Sequence, residues 1–393
     1  MRANILIIIA LSLIFSINAL GQGLSLYLND SDINKLRNAT YPNVIKAGMD
    51  SDSEKGVKSP GAAASSVKRN TVLQLMEGNY TSDITITADN VIIEPAPGAD
   101  PQKILCNLHI AGKNVVIRGM KTERLIISQS VIILDSVIGY LKVAGSNNKK
   151  PDLIRFHNCV VGKIYVTAGE SRKWDDLITR VSFQNCVIGF RSERFPSSMY
   201  YTSYSYNYNG LIELFPNTEC SFKQSILYGK NLFTLGWAFV DAKGKVTLDN
   251  SLMYSSDVIV NQYTRRTTDK KAFARDMKEL KKFFPRNFVM KGKVPFEKPL
   301  FKGNIAPAES SVTYTDENGM NYNLYNYTFD FANLALKDGT PGADIKGIGL
   351  ASLNNGFPGV DSASAANKKS EPEDDDSSED NNNSGNNDED DDW

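Results

Sequence analysis

The sequence predicts an all-β protein whose chain winds as a right-handed parallel β-helix. From Thr71 onward, short runs of β-branched residues such as Val72–Leu75 and Val131–Ile133 are separated by Gly, Asn, Asp and Ser. No helical period runs between them, and short runs with this punctuation indicate strands. Similar phrases also recur along the chain, which is typical of stacked coils that share one apolar core.

The clearest repeat is the phrase FHNCVVG at 156–162, which returns as FQNCVIG at 183–189. Weaker copies begin at Phe222 and Leu248, so separations of 27, 39 and 26 residues fit one coil per repeat with one insertion. Stacked coils place equivalent residues about 4.8 Å apart. We therefore expect Cys159 and Cys186 to pack in register as small, unbonded residues. Two further columns are expected, an inner one of Phe156, Phe183, Phe222 and Leu248 and a polar corner ladder of Asn158, Asn185, Gln224 and Asn250.

The two ends of the chain differ from this body. One early positive charge, an apolar run from Ile5 to Ile17 and small residues before Gln22 predict a signal peptide over 1–21, with no transmembrane segment left after cleavage. A retained N-terminal anchor is the alternative. Residues 22–70 are expected to be a lead-in and cap, 71–350 the β-helix, and 351–393 a disordered acidic tail. We expect a secreted, periplasmic or cell-surface protein.

The acidic tail hides a basic body. Residues 371–392 carry 12 acidic residues and no Lys or Arg, which leaves 33 acidic and 43 basic residues in the mature body. A basic body suits an acidic polymer, and the tail could compete for the same surface or serve only solubility. Within 269–284, Phe273, Met277, Leu280 and Phe284 recur at helical spacing and predict one amphipathic helix on the solenoid.

Several chemistries are disfavoured by composition. The four Cys include no C-x-x-C pair, and only His109 and His157 could join them, so neither a disulfide scaffold nor a Cys/His metal site is expected. No glycine-rich phosphate loop is present. We expect a monomer that has no certain cofactor and binds no nucleic acid.

Phrases near both ends of the body resemble a known superfamily. LMEGNY at 75–80, KPLF at 298–301, FDF at 329–331 and GTPGA at 339–343 resemble the opening and closing phrases of right-handed β-helix proteins of the pectin-lyase-like superfamily. This superfamily includes chondroitinase-B-like and alginate-lyase-like members, and the middle of the chain also resembles uncharacterised secreted β-helix proteins. The superfamily includes lyases, hydrolases, epimerases and adhesins, so the resemblance implies the fold and leaves the chemistry open. It also implies calcium for the lyases, although Asp175-Asp176 is the one acidic pair near these coils.

One outer face carries the candidate catalytic residues. Because side chains alternate along a strand, an inward Phe156 turns Arg155 and His157 outward. The resemblance implies that such a face lines the polymer groove of a lyase. Arg155 would pair with a uronate carboxylate, while Lys223 or His157 would remove the adjacent proton. The alternative is an ordinary solvated sheet face. In the same register, the residues expected outside are Ser182, Gln184, Ser221, Lys223, Thr247 and Asp249.

A tyrosine-rich insertion, residues 190–209, is the candidate binding loop. Tyr offers a large contact area at low entropic cost, and sugar rings stack on aromatic faces. The alternative is a tyrosine-rich edge that packs over its own coil. The substrate-binding candidates are Trp174, Arg191, Arg194, Tyr200, Tyr201, Tyr204, Tyr206 and Tyr208.

These residues favour an exported β-helix protein that binds an acidic polysaccharide, and polysaccharide lyase activity is a hypothesis attached to that function. The alternative is a non-enzymatic cell-surface or adhesion protein whose solenoid is structural. A basic residue beside a bound cation in one groove would separate the two.

Overall fold

A computed structural model describes residues 25–296 except 53, 145–151, 168–177, 190–209, 237–238, 240–243 and 263–272, and also the strands at 311–315 and 321–325. Strands and helices are numbered along the chain. The helices are α1 (Asp30–Asn38), α2 (Pro60–Ser66) and α3 (Met277–Phe283), and a 3-10 turn spans Pro101–Lys103. None of the described helices is long and apolar enough to span a membrane.

The first sheet has eleven strands that pair in parallel, and it runs the length of the solenoid. Its strands, in spatial order, are β2 (Val57–Lys58), β1 (Asn43–Ala47), β3 (Thr71–Leu75), β6 (Val91–Pro95), β9 (Val115–Arg118), β11 (Val131–Leu134), β13 (Leu153–His157), β15 (Thr179–Gln184), β18 (Thr218–Lys223), β20 (Lys245–Asp249) and β23 (Phe288–Lys291).

The second sheet is parallel except for its last pair, β21 with β22. Its strands are β5 (Ile84–Ile86), β8 (Asn107–Ile110), β10 (Lys121–Ile127), β12 (Val137–Ala144), β14 (Val160–Thr167), β16 (Val187–Gly189), β17 (Ile212–Leu214), β19 (Ile226–Leu235), β21 (Leu252–Gln262) and β22 (Phe273–Ala274). Two small pairs complete the description, β4 (Gly78–Asn79) with β7 (Ile104–Leu105) and β24 (Ser311–Thr315) with β25 (Asn321–Tyr325). Successive visits to the two parallel sheets wind the chain into coils, which confirms the predicted all-β parallel β-helix.

The inner column lies where the repeat predicts it. Phe156, Phe183, Phe222 and Leu248 pair in register on successive strands. The rings of Phe156 and Phe183 stack with centroids 4.7 Å apart, and those of Phe183 and Phe222 with centroids 5.1 Å apart. All four described cysteines are buried and unbonded, as expected for Cys159 and Cys186.

The four residues of the expected corner ladder share one turn conformation, which explains their composition, and hydrogen bonds among their side chains stay a prediction. Asn158, Asn185, Gln224 and Asn250 have positive φ angles of 57°, 52°, 49° and 46°. Asn enters this left-handed region more readily than most residues because its side chain bonds locally. The Asn158 amide donates to Asp135 Oδ1 of the preceding coil at 2.7 Å.

Two predicted boundaries differ from the structure. The predicted helix over 269–284 is shorter, because Phe273 lies in β22 and the Asp276 carboxylate accepts a bond from Glu279 N, which starts α3 at Met277. The solenoid sheet begins before Thr71, since β1 pairs with β3 along five residues. Helix α2 contacts β1 and β5 and buries Ala63 in the main core, so it closes the first coil.

Residues 25–41, here called the N-terminal strap, lie along the outer face of the first sheet. Its apolar residues Leu28, Ile33 and Leu36 pack with outward side chains of β3, β6, β9 and β11. Those outward side chains are Val72, Ile92, Val116, Ile132 and Leu134. The first half of this outer face is therefore apolar and needs a cover, which the strap supplies.

Candidate functional site

The first outer face carries Arg155, His157 and Lys223, the predicted catalytic residues. Arg155 is in register with Ser182 and Ser221, and His157 is in register with Gln184 and Lys223. Their side chains point away from the core, but Arg155 is only 6% exposed and His157 only 7% exposed. The predicted groove is thus covered by the strap, and the catalytic roles of the three residues stay predictions.

Polar contacts hold the strap over this face. Ser182 Oγ donates to the Leu26 carbonyl at 2.6 Å, and the Leu28 N–H donates to Gln184 Oε1 at 3.2 Å. Lys223 Nζ lies 5.3 Å from the centroid of the Tyr27 ring, within cation–π range. The extended start of the strap is therefore bound through two backbone groups, the Tyr27 ring and the buried Leu28 side chain.

The helical end of the strap is held more tightly. Arg37 forms a bidentate pair with Asp135, with distances of 2.6 and 2.8 Å. Arg118 Nη1 donates to the carbonyls of Leu36 and Arg37 at 2.7 and 2.6 Å, where the last carbonyls of α1 lack helical partners. The two ends of the strap thus differ in how firmly they are attached.

Burial shifts the ionisation of both basic residues beneath α1. Burial and the Arg37 charge lower the pKa of His157 to about 4, and Asp135 and Asp30 offset this in part. Burial also lowers the pKa of Arg155, and Asp32 opposes that shift. His157 Nδ1 is buried and has no hydrogen-bond partner within the part of the chain described. The face is therefore partly desolvated, and His157 is uncharged at neutral pH.

The predicted binding loop, residues 190–209, and the insertion before it, which contains Trp174, lie outside the described residues. The substrate-binding assignments therefore stay predictions. They are Trp174, Arg191, Arg194, Tyr200, Tyr201, Tyr204, Tyr206 and Tyr208.

A second outer row, which sequence reasoning missed, follows the second sheet. One outward residue stands between two core residues in coil after coil, as in Ile84-Thr85-Ile86, Leu141-Lys142-Val143 and Ile212-Glu213-Leu214. This apolar–polar–apolar triplet is visible in the sequence and could have located the row. The row, in unbroken register, is Thr85, His109, Ile126, Lys142, Tyr165, Glu213, Thr234 and Asn261.

The longest connections of the solenoid begin or end at the strands of this row. β12, β14, β19 and β21 each lead into a long connection, and the tyrosine-rich stretch 190–209 leads into Gly210 and then β17. By contrast, β8 and β10 are followed by short turns. Long connections on a rigid scaffold commonly carry binding residues.

The solvent exposure of the row decreases along its length. Thr85 is exposed and His109, Ile126 and Lys142 are half-buried, whereas Glu213 is 2% exposed. Lys142 Nζ lies 5.9 Å from the centroid of the Tyr165 ring, which in turn packs against Phe215. A cation beside an aromatic ring can pair with a sugar carboxylate and pack against a sugar ring.

A buried ion pair lies in the covered half of the row. Lys163 Nζ is 2.7 Å from Glu213 Oε1, and their side chains are 8% and 2% exposed. Each of these buried charges needs the other as its counterion, because an unpaired charge removed from water is strongly destabilising. Loss of either residue alone should therefore destabilise the coils. At the open end, His109 Nε2 lies 3.4 Å from Ser128 Oγ, and burial lowers the pKa of His109.

The described residues do not fit a calcium site. They contain no group of three His, Cys, Asp or Glu side chains that could hold a metal ion. Calcium binding needs six to eight oxygen ligands, usually with several carboxylates. The expectation of calcium therefore rests on residues such as Asp175 and Asp176, which lie outside the described part of the chain.

The strand topology establishes the fold, independently of any similarity to known proteins. The fold is a parallel β-helix. No protein-family model matches the chain, and no curated protein matches it. It is similar to a solved structure of pectate lyase Pel9A, with 11% identity, a TM-score of 0.32, and coverage of 65% of this chain and 78% of that one. No residue role is carried over from that similarity.

Proposed function

We propose that this protein is exported and binds an acidic polysaccharide along the second outer row. The observation that carries the proposal is the unbroken register of the row, whose open part consists of Thr85, His109, Ile126 and Lys142 on four successive strands. Coils repeat about every 4.8 Å, which is close to the length of one sugar unit, so an extended polymer would meet a new side chain at each unit.

Charge favours an acidic ligand. The mature body without its acidic tail has 43 basic and 33 acidic residues, which attracts polyanions over a distance set by the salt concentration. Lys142 is the half-buried cation of the row, and Tyr165 lies beneath it. We therefore expect a uronate carboxylate at Lys142.

Binding of the purified mature chain to polygalacturonate, alginate and chondroitin sulfate tests this proposal. Lys142→Ala should weaken binding on the order of tenfold, the loss expected for one charge-assisted contact. Lys113→Ala is the matched control, because Lys113 is exposed and belongs to neither outer row. Absence of binding to all three polymers would contradict the proposal. An equal loss of affinity in Lys142→Ala and Lys113→Ala would show that the row is not the binding site.

Lyase chemistry is a separate hypothesis, because Arg155 and Lys223 belong to the first outer face, whereas Lys142 belongs to the second outer row. It is measured by the ultraviolet absorbance of the unsaturated product, with and without calcium. A rise that disappears in Lys223→Ala or Arg155→Ala supports the catalytic assignment to the first outer face. Binding without a rise on any polymer would leave a non-enzymatic surface protein.

A further inference from the structure

We infer that the first outer face is a second anion-binding site, and that the N-terminal strap occupies it as a built-in substitute for an acidic ligand. The ligand class is a polyuronate, as in the proposed function on which this inference rests. The site consists of Arg155, His157 and Lys223, and the strap supplies the carboxylates of Asp30 and Asp32 above it.

The chemistry of the covered face supports the inference. A surface built to stay covered is usually apolar, as this face is at Val72, Ile92 and Val116. From β13 onward the same outward columns change to Arg155, His157 and then polar residues up to Lys223. Burying cations costs free energy unless anions accompany them. The outward residues thus change from apolar to polar at β13, where the strap covers Arg155 and His157.

The strap places acidic and aromatic groups over the cationic side chains. Asp30 and Asp32 are in the first turn of α1, between Leu28, which bonds Gln184 of β15, and Arg37, which pairs with Asp135 after β11. They therefore lie over β13, the strand that carries Arg155 and His157. Tyr27 lies against Lys223, so its aromatic ring covers this cation. The strap therefore presents carboxylates and an aromatic ring to this face, and a polyuronate would present its carboxylates to the same cations.

The attachment of the strap permits displacement of one end. Its start is held by the bonds of Leu26 and Leu28, by the Tyr27 ring and by the buried Leu28 side chain, whereas α1 is held by the Arg37–Asp135 pair, by Arg118 and by its apolar face. Lifting residues 25–32 would unwind the first turn of α1, expose Leu28 and uncover Arg155 and Lys223, while Ile33 and Leu36 stay in the apolar cluster. The strap therefore competes with the ligand locally, without unfolding the solenoid.

Hydrogen exchange on the unmodified mature chain tests the competition directly. If ligand and strap exclude each other, saturating polygalacturonate must raise amide exchange in residues 25–32, because coupling between two sites is reciprocal. Exchange at β3 and β6, whose outward residues stay under α1, should not change. Unchanged or slower exchange in residues 25–32 would overturn the inference.

Variants provide the second test. A chain that begins at Asn29, and separately Asp30→Asn/Asp32→Asn, should each bind polygalacturonate about tenfold more tightly, because apparent affinity rises with the fraction of open sites. The gain in affinity of the truncated chain should vanish when Lys223→Ala is added to it. The gain of the Asp30→Asn/Asp32→Asn variant should vanish when Arg155→Gln is added. It should persist with Lys291→Ala, an exposed lysine further along the Lys223 column.

Two further readouts keep the outcomes distinct. Circular dichroism melting must show that the variants fold, and Tyr27→Ala in the full chain replaces the truncation if it does not. Loss of binding in Lys142→Ala concerns the proposed function alone. A gain that is absent, or that does not depend on Lys223 or Arg155, overturns the strap site even when the second row binds.

Discussion

The buried pair Lys163–Glu213 allows a quantitative test of the second outer row. Both side chains are less than 9% exposed and their charged atoms are 2.7 Å apart. Replacing Lys163 with Met leaves the Glu213 carboxylate buried without its cation, and such a loss costs about 3–5 kcal/mol. Replacing both residues with Met removes both charges and should return stability to within about 1–2 kcal/mol of the natural chain.

The assay is urea denaturation at neutral pH, followed by circular dichroism, for the natural chain and the three variants. Lys55→Met is the matched control, because Lys55 is 80% exposed in its pair with Asp52 and exposed pairs contribute at most about 1 kcal/mol. A loss in Lys163→Met no larger than that control would refute the reasoning. It would mean that water reaches Glu213 and that the second half of the row is open.

Three further predictions concern the fold and the strap. Phe183→Ala should cost about 3–5 kcal/mol of unfolding free energy, because the fully buried ring lies between two stacked rings. A loss below about 1 kcal/mol in denaturant titration would contradict that packing. Asn185→Val should cost at least about 1–2 kcal/mol of unfolding free energy and Asn185→Gly only a few tenths, because the φ angle of 52° is costly for a β-branched residue and free for glycine. Equal melting temperatures of the two variants would refute the left-handed turn. His157 has a folded pKa of about 4 against about 6.5 when unfolded, so its stabilising effect is complete above pH 6.5 and is lost as pH falls towards 4. His157→Gln should remove up to about 3 kcal/mol of that pH dependence, and an unchanged pH profile would show that His157 is not buried beneath α1.

The sequence predicted the winding because each coil repeats the same physical requirements. Phe156 and Phe183 recur because each ring stacks on the next, and Asn158 and Asn185 recur because both turns need a positive φ. The strap carries no such repeat. Its position depends on contacts with strands about 40 to 200 residues away, such as Ser182 with Leu26, and no periodic pattern encodes them.

The choice of outer face could nevertheless have been improved from the sequence. Val72, Ile92, Val116 and Ile132 occupy the outward column that continues into Arg155. Four apolar residues in an outward column imply that something covers that face, because a sheet face left in water carries polar residues. The second sheet shows the opposite pattern at its open end, where Thr85, His109 and Lys142 alternate with core residues. The polar residues that follow an apolar outward column are therefore better interpreted as the underside of an intramolecular contact than as an open groove. In this protein that contact is the N-terminal strap, which lies over Arg155 and His157.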